Sequence, residues 1–243
     1  MTDTAAHQDP ATSPETIRIG DQDIPVWPAG QEIVCVGQAV RFTTFADHQI
    51  YHPALKEKIL AQEAVNRRDN PPSTRCLGGV KVRRPDQWPD FPEMQLINER
   101  AKTLFRRVIG APKAHVDAMW ANIYREGESI GPHSHRRTVA SMLYLLEPGE
   151  QDPDCEYSGR FSIVDPRVDV CARLQEGFLT NPYLPPLVEG SLLIFPAQLV
   201  HHVNAYFGKR PRITLTWNIH PEPVPGSVRD QVQFKEVPTR VMQ

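Results

Sequence analysis

The strongest constraint on the fold is an alternation at residues 211–219, PRITLTWNI. Arg212, Thr214, Thr216 and Asn218 fall on one side of an extended chain, and Ile213, Leu215, Trp217 and Ile219 on the other. A period of two predicts a strand with one buried apolar face. Residues 114–124 (AHVDAMWANIY) divide in the same way, with Trp120, Asn122 and Tyr124 opposite Met119, Ala121 and Ile123. Further short apolar runs at 139–146, 159–163, 190–195 and 200–206 extend the run of predicted strands from about residue 113 to 220. The polar faces look either to bulk solvent or into the polar lumen of a small barrel that holds a ligand. Alternation alone is the same in both cases.

Before residue 113 the pattern differs. Residues 17–47 hold short strand-like runs (IRIG, DIPVW, EIVCVG, AVRFTTF) separated by Gly, Pro and Asp. Residues 53–67 predict a helix with proline in its first turn. In PEMQLINERAKTLFRRVIG, Ile97, Ala101, Leu104, Phe105 and Val108 recur at helical spacing and Gly110 supplies a stop. Two helices followed by a long run of strands predict a mainly β protein with helices on one outer face. The 243 residues are enough for one sizeable core. Residues 1–16 carry neither a basic start nor an apolar stretch, so they predict a disordered tail rather than a signal peptide. Residues 17–243 are expected to form one domain with its sheet core at about 113–220. From 221 onward the chain is expected to wrap the surface, with VQFKEV as an added edge strand.

Apolar residues make up 40 % and charged residues 23 %, with a formal net charge of −2. That balance predicts a soluble globular protein without the basic footprint of a nucleic-acid binder. No apolar run approaches the roughly 20 residues of a membrane helix. The cysteines, Cys35, Cys76, Cys155 and Cys171, are widely spaced without C-x-x-C, and read as reduced thiols in a cytoplasm; a Cys155–Cys171 disulfide is the alternative. The oligomeric state is open.

Two histidines one residue apart, His133 and His135, precede the apolar run at 139–146. On an extended segment both imidazoles reach one side, where they can claw a metal ion; the alternative is a solvated turn after Gly131-Pro132. His201 and His202 are adjacent and point to opposite faces of a strand, so one of them at most joins the first pair. His48, His52 and His115 show no partner spacing.

The order of these features carries more than each alone: N-x-Y-R-x-G-x-x-x-x-x-H-x-H at 122–135, G-S-L-L-I-F-P at 190–196, His201, then R-x-T at 212–214. Here the sequence resembles the iron(II)/2-oxoglutarate-dependent oxygenases. Residues 122–135 resemble the entry strand and first metal segment of their dealkylating branch. Residues 158–167 (SGRFSIVDPR) and 190–218 resemble a bacterial and phage group of 2OG-Fe(II) oxygenases. The resemblance covers roughly residues 113–220. It implies a double-stranded β-helix, the cupin-like jelly roll, and an oxidoreductase using Fe(II), 2-oxoglutarate and oxygen on a small-molecule or peptide substrate.

By the same resemblance, His133 and His201 are metal ligands and Arg212 grips the distal carboxylate of 2-oxoglutarate, as a planar guanidinium does bidentately. Thr214 adds a hydroxyl to that carboxylate, and Tyr124 and Asn122 complete the pocket. Tyr124 has a plain alternative as a core aromatic. The departure from the family pattern is His135, which stands where the usual triad has a carboxylate. It is either the third ligand, or an outer residue with water or another carboxylate completing the site, or the mark of a degenerate site. Asp117 and Asp165 are the nearby carboxylates. Two rival functions stay open: a three-histidine cupin-type dioxygenase that does not use 2-oxoglutarate, and a non-catalytic metal-binding jelly roll. Arg136-Arg137 either line the pocket mouth or are solvated, and the loops 147–157 and 166–189 are either a lid or surface excursions.

Overall fold

The computed structural model describes residues 14–36, 40–69, 80–82, 91–135, 138–164 and 182–223. Residues 1–13 of the expected tail, Arg136-Arg137, Asp165, Cys171, most of the 166–189 loop and VQFKEV lie outside them. Thirteen strands and two long helices are described. An N-terminal hairpin pairs β1 (Thr16–Ile19) with β2 (Gln22–Pro25). Next come β3 (Val34–Val36), β4 (Val40–Thr44), a 3-10 turn at Ala46–Ile50, α1 (His52–Asp69), β5 (Val80–Val82) and α2 (Pro92–Ile109). The remaining strands are β6 (His115–Tyr124), β7 (Ile130–His133), β8 (Ala140–Glu147), β9 (Phe161–Val164), β10 (Pro182–Tyr183), β11 (Ser191–Pro196), β12 (His201–Val203) and β13 (Arg212–His220).

From β6 onward the chain passes back and forth between two antiparallel sheets. The larger has the order β3-β4-β11-β8-β13-β6-β5, and the smaller β10-β9-β12-β7. This is the winding of a double-stranded β-helix. The strand periodicity sorts side chains into two cores. Ile213, Leu215, Trp217 and Ile219, with Met142, Tyr144, Leu192 and Ile194, pack outward against α2 and the N-terminal hairpin. Val40, Tyr124, Leu143, Phe161, Ile163, Leu193, Phe195 and Val203 fill the space between the sheets. The polar face of β13 therefore looks into a lumen, not into solvent: Arg212, Thr214 and Thr216 are all buried.

The α2 helix buries Met94, Leu96, Ile97, Ala101, Leu104 and Phe105 on one stripe and ends at Gly110 with φ 73°, the left-handed cap that glycine adopts at no steric cost. Arg100 lies in that stripe, fully buried, with every donor used. Its Nε and Nη2 donate to the carbonyls of Val26 (3.0 Å) and Pro25 (2.9 Å), Nη1 to Tyr51 Oη (2.7 Å), and the fork to Asp47. One side chain thus ties the hairpin, the 3-10 turn and α2 together.

Three strands escaped sequence reasoning. β7 carries Gly131-Pro132, which reads as a turn, but β7 is the edge of the smaller sheet, where a proline's missing donor costs no ladder bond. β5 and β10 are only three and two residues long, too short for any periodicity.

Candidate active site

The ladder between β7 and β12 places His133 directly opposite His201. His135, two residues past the end of β7, is held by a bond from its backbone N–H to the carbonyl of Ala197 (2.8 Å). Ligand atoms of the three imidazoles then lie within 4.8 Å of one another, and no carboxylate or thiol among the described residues joins them. Asp117 lies on β6 outside the cluster. His202 alternates away from His201, as its place on the strand requires, and opposes Ser162.

The tautomers are fixed locally. His133 Nδ1 donates to the carbonyl of Gly131 (2.9 Å) and His201 Nδ1 to that of Leu199 (2.9 Å), so in the neutral rings Nε2 carries the lone pair. Burial pushes the pKa of His201 down to about 4, opposed by the Leu199 carbonyl, so this ring is neutral near pH 7. His135 Nε2 and His201 Nε2 stand 3.2 Å apart. Two nitrogens bonded to one ion at roughly 2.1 Å and about 100° would have that separation. Phe195 and Phe161 pack on His201 (ring centroids 4.8 and 5.4 Å), and Trp120 lies 5.8 Å from His135.

Deeper in the lumen, β13 pairs with β6 so that Arg212 opposes Tyr124 and Thr214 opposes Asn122. Arg212 is 5 % exposed; Tyr124 and Thr214 are fully buried. The guanidinium lies 5.3 Å from the Tyr124 ring. Burial lowers the Arg212 pKa, against the pull of Tyr124 and Tyr206, and burial lifts the Tyr124 phenol to about 12, so it is an uncharged donor. Arg212 Nη1 is buried with no hydrogen-bond partner among the described residues, and the buried Tyr124 Oη has only the Thr214 hydroxyl beside it. A buried cationic donor without a partner costs several kcal/mol, of order 3 or more. An anion lying between them would remove that cost. Asn122 is otherwise engaged: it accepts from Trp120 Nε1 (3.1 Å) and donates to Thr216 (3.0 Å), which holds the polar row in register.

Several contributors were invisible in the sequence. Gly159, φ +63°, backs onto Arg212: a Cβ there would lie 2.9 Å from Arg212 Cδ and 2.9 Å from Tyr206. Tyr206 is fully buried; its hydroxyl donates to the Arg210 carbonyl (2.5 Å) and accepts from the Glu150 N–H (2.8 Å). Lys209 N–H donates to Glu150 (2.6 Å) and Phe207 N–H to Ser158 Oγ (3.0 Å). The 147–157 loop is thereby strapped to 204–210 as a back wall behind Arg212, the surface excursion of the two expectations. Tyr183, beside Ile163 at the inner core, has a buried hydroxyl with no partner among the described residues.

Residues 118–218 match the family model described as "Putative 2OG-Fe(II) oxygenase". No curated protein matches the chain. Among solved structures, AviO1 from Streptomyces viridochromogenes Tue57 is similar at TM-score 0.51 and 15 % identity, covering 76 % of this chain and 92 % of that one. SnoK, a non-heme alpha ketoglutarate dependent carbocyclase from nogalamycin biosynthesis, is similar at 0.52 and 14 %, covering 75 % and 79 %. HygX from Streptomyces hygroscopicus, solved with nickel and 2-oxoglutarate bound, is similar at 0.50 and 12 %, covering 74 % and 82 %. At these identities the likeness is one of fold.

Proposed function

Because residues 118–218 carry the pattern of the 2OG-Fe(II) oxygenases on that family's double-stranded β-helix, we propose that this chain is an Fe(II)- and 2-oxoglutarate-dependent dioxygenase with an assignable site. His133, His135 and His201 hold the metal; Arg212, with Thr214 and Tyr124, holds the far carboxylate of the co-substrate. The observation that carries the assignment is the unpartnered guanidinium donor of Arg212, buried beside the phenol of Tyr124. A cupin dioxygenase without 2-oxoglutarate has no use for such a pair.

Iron held by His133, His135 and His201 would supply oxidising chemistry, the oxygen-dependent hydroxylation of a C–H bond of a second substrate coupled to conversion of 2-oxoglutarate into succinate and carbon dioxide. The chain's own residues prepare for this. Three uncharged imidazoles leave the charge of a divalent ion uncompensated, which favours a dianionic co-substrate. Gly131 and Leu199 carbonyls hold His133 and His201 in the ligating tautomer. Phe161, Phe195 and Trp120 keep water from the rings' inner side. Arg212, Tyr124 and Thr214 orient the co-substrate by its far end. His133 and His135 are half-buried and face the open part of the lumen, where the second substrate, a small molecule or a peptide side chain, is received. No described helix is long and apolar enough to cross a membrane. A cytoplasmic setting is part of the proposal, supported by four widely spaced cysteines without a C-x-x-C pair.

The test is oxygen-dependent conversion of 2-oxoglutarate to succinate by the Fe(II)-loaded protein without added substrate. Wild type should turn over slowly, and Arg212→Ala should fall at least about 100-fold at the same 2-oxoglutarate concentration. Equal turnover in the two proteins would refute the assignment.

A further inference from the structure

On the other side of the seven-stranded sheet lies a second group of metal-ligating side chains. His48 sits on the 3-10 turn, His52 opens α1, and Glu189 immediately precedes the turn into β11; their ligand atoms lie within 4.8 Å of one another. His48 and His52 are four residues apart, one helical turn, and their rings are 4.9 Å apart. Tyr144 of β8 belongs to the outer core, away from the lumen that its neighbour Leu143 approaches. The group therefore shares no residue with the proposed oxygenase site.

We propose that His48, His52 and Glu189 form a second, structural site for a zinc-like divalent cation. Each residue is prepared for it. His48 Nδ1 donates to the Phe45 carbonyl (2.8 Å), so its Nε2 carries the lone pair. His52 lies with Nδ1 2.8 Å from Glu189 Oε1 and Nε2 2.7 Å from Tyr144 Oη. The Tyr144 hydroxyl can accept as well as donate. Hence His52 can give its Nε2 proton to Tyr144 and present the Nδ1 lone pair to an ion, the arrangement by which an outer partner orients a ligating imidazole. His52 is almost wholly buried.

Two neighbours make room for the ion. Gly190 has φ +85°, and a Cβ there would lie 2.9 Å from His48 Nδ1 and 2.7 Å from the Phe45 carbonyl. Only glycine lets the His48 ring settle where it is. Lys56 bridges Glu189 Oε1 and Glu147 Oε2, at 2.8 Å each. When Glu189 turns to a cation, Glu147 still neutralises the ammonium. Two imidazoles and one carboxylate at a half-buried site, with water in the fourth position, favour zinc over magnesium or calcium, which take oxygen ligands. A cation here would pin the start of α1 to the start of β11.

The test uses the full chain, freed of metal and titrated with Co(II), with visible absorption for coordination and equilibrium dialysis for stoichiometry. Wild type should bind two equivalents. His133→Ala/His201→Ala should keep one, and adding His48→Gln to that chain should abolish it. Glu189→Gln, at a partly exposed carboxylate, serves as a second variant, and far-UV circular dichroism checks that each folds. Zn(II) should raise the melting temperature of His133→Ala/His201→Ala but not of the chain that also carries His48→Gln. One equivalent in wild type that vanishes in His133→Ala/His201→Ala would overturn this site and leave the oxygenase site standing. So would two equivalents unaffected by His48→Gln and Glu189→Gln.

Discussion

Arg212→Met offers a test in which binding and stability should move in opposite directions. The lumen holds a guanidinium 5 % exposed, with one nitrogen lacking any partner among the described residues. In the protein without co-substrate that charge destabilises the fold. Replacing a poorly compensated buried ion with an apolar side chain of similar reach is neutral or stabilising by about 1–4 kcal/mol. For a chain of this size each kcal/mol moves the melting temperature by about 2–4 °C, so a gain of roughly 2–16 °C is expected. For the co-substrate the sign reverses. Two charge-assisted bonds at about 2 kcal/mol each are lost, about 4 kcal/mol in all, or close to a thousandfold in dissociation constant. Arg212→Lys keeps the charge but not the fork and should lose about half of that free energy, roughly 30-fold. The assay pairs differential scanning fluorimetry of the metal-free protein with anaerobic titration of 2-oxoglutarate into the Fe(II) protein, read from its visible charge-transfer band. A melting temperature several degrees lower in Arg212→Met, with unchanged 2-oxoglutarate affinity, would show the guanidinium to be a structural element.

Gly159→Ala places a methyl group against Arg212 Cδ and Tyr206, and should raise KM for 2-oxoglutarate about tenfold while kcat changes less than twofold; an equal fall in kcat alone would argue against a role through Arg212. His135→Ala should weaken Ni(II) or Fe(II) binding by more than the roughly 100-fold that outer partners cost at most, and a loss under tenfold would move His135 out of the ligand set. Arg100→Ala strands Asp47 and two carbonyls and should cost about 3–5 kcal/mol in urea unfolding; a cost below about 1 kcal/mol would mean that this hub contributes little.

Much of the fold was legible because a half-buried strand writes its two faces into the sequence. The alternation at 211–219 foretold which residues share the face that meets the helices, and left the choice between lumen and solvent for the other face to be decided by the second sheet. His133, His201 and Arg212 were readable through the order of their motifs. What stayed hidden depends on approach in space. Gly159 matters for a Cβ it lacks, against a side chain 53 positions later. His48 and His52 look unrelated until the turn and α1 join to put them one helical turn apart, and Glu189 arrives from 137 residues beyond His52. The strap through Tyr206 is a set of side-chain-to-backbone bonds that no local pattern announces.

The gradient of burial along the lumen imposes a sequence of events. His133 and His135 are half-buried, whereas His201, Arg212, Tyr124 and Thr214 are buried. A diacid must slide past the histidines to dock its tail, and whatever sits in the doorway afterwards blocks both its entry and its escape. On the proposed function, kinetics should accordingly be compulsory-order, with the keto acid first in.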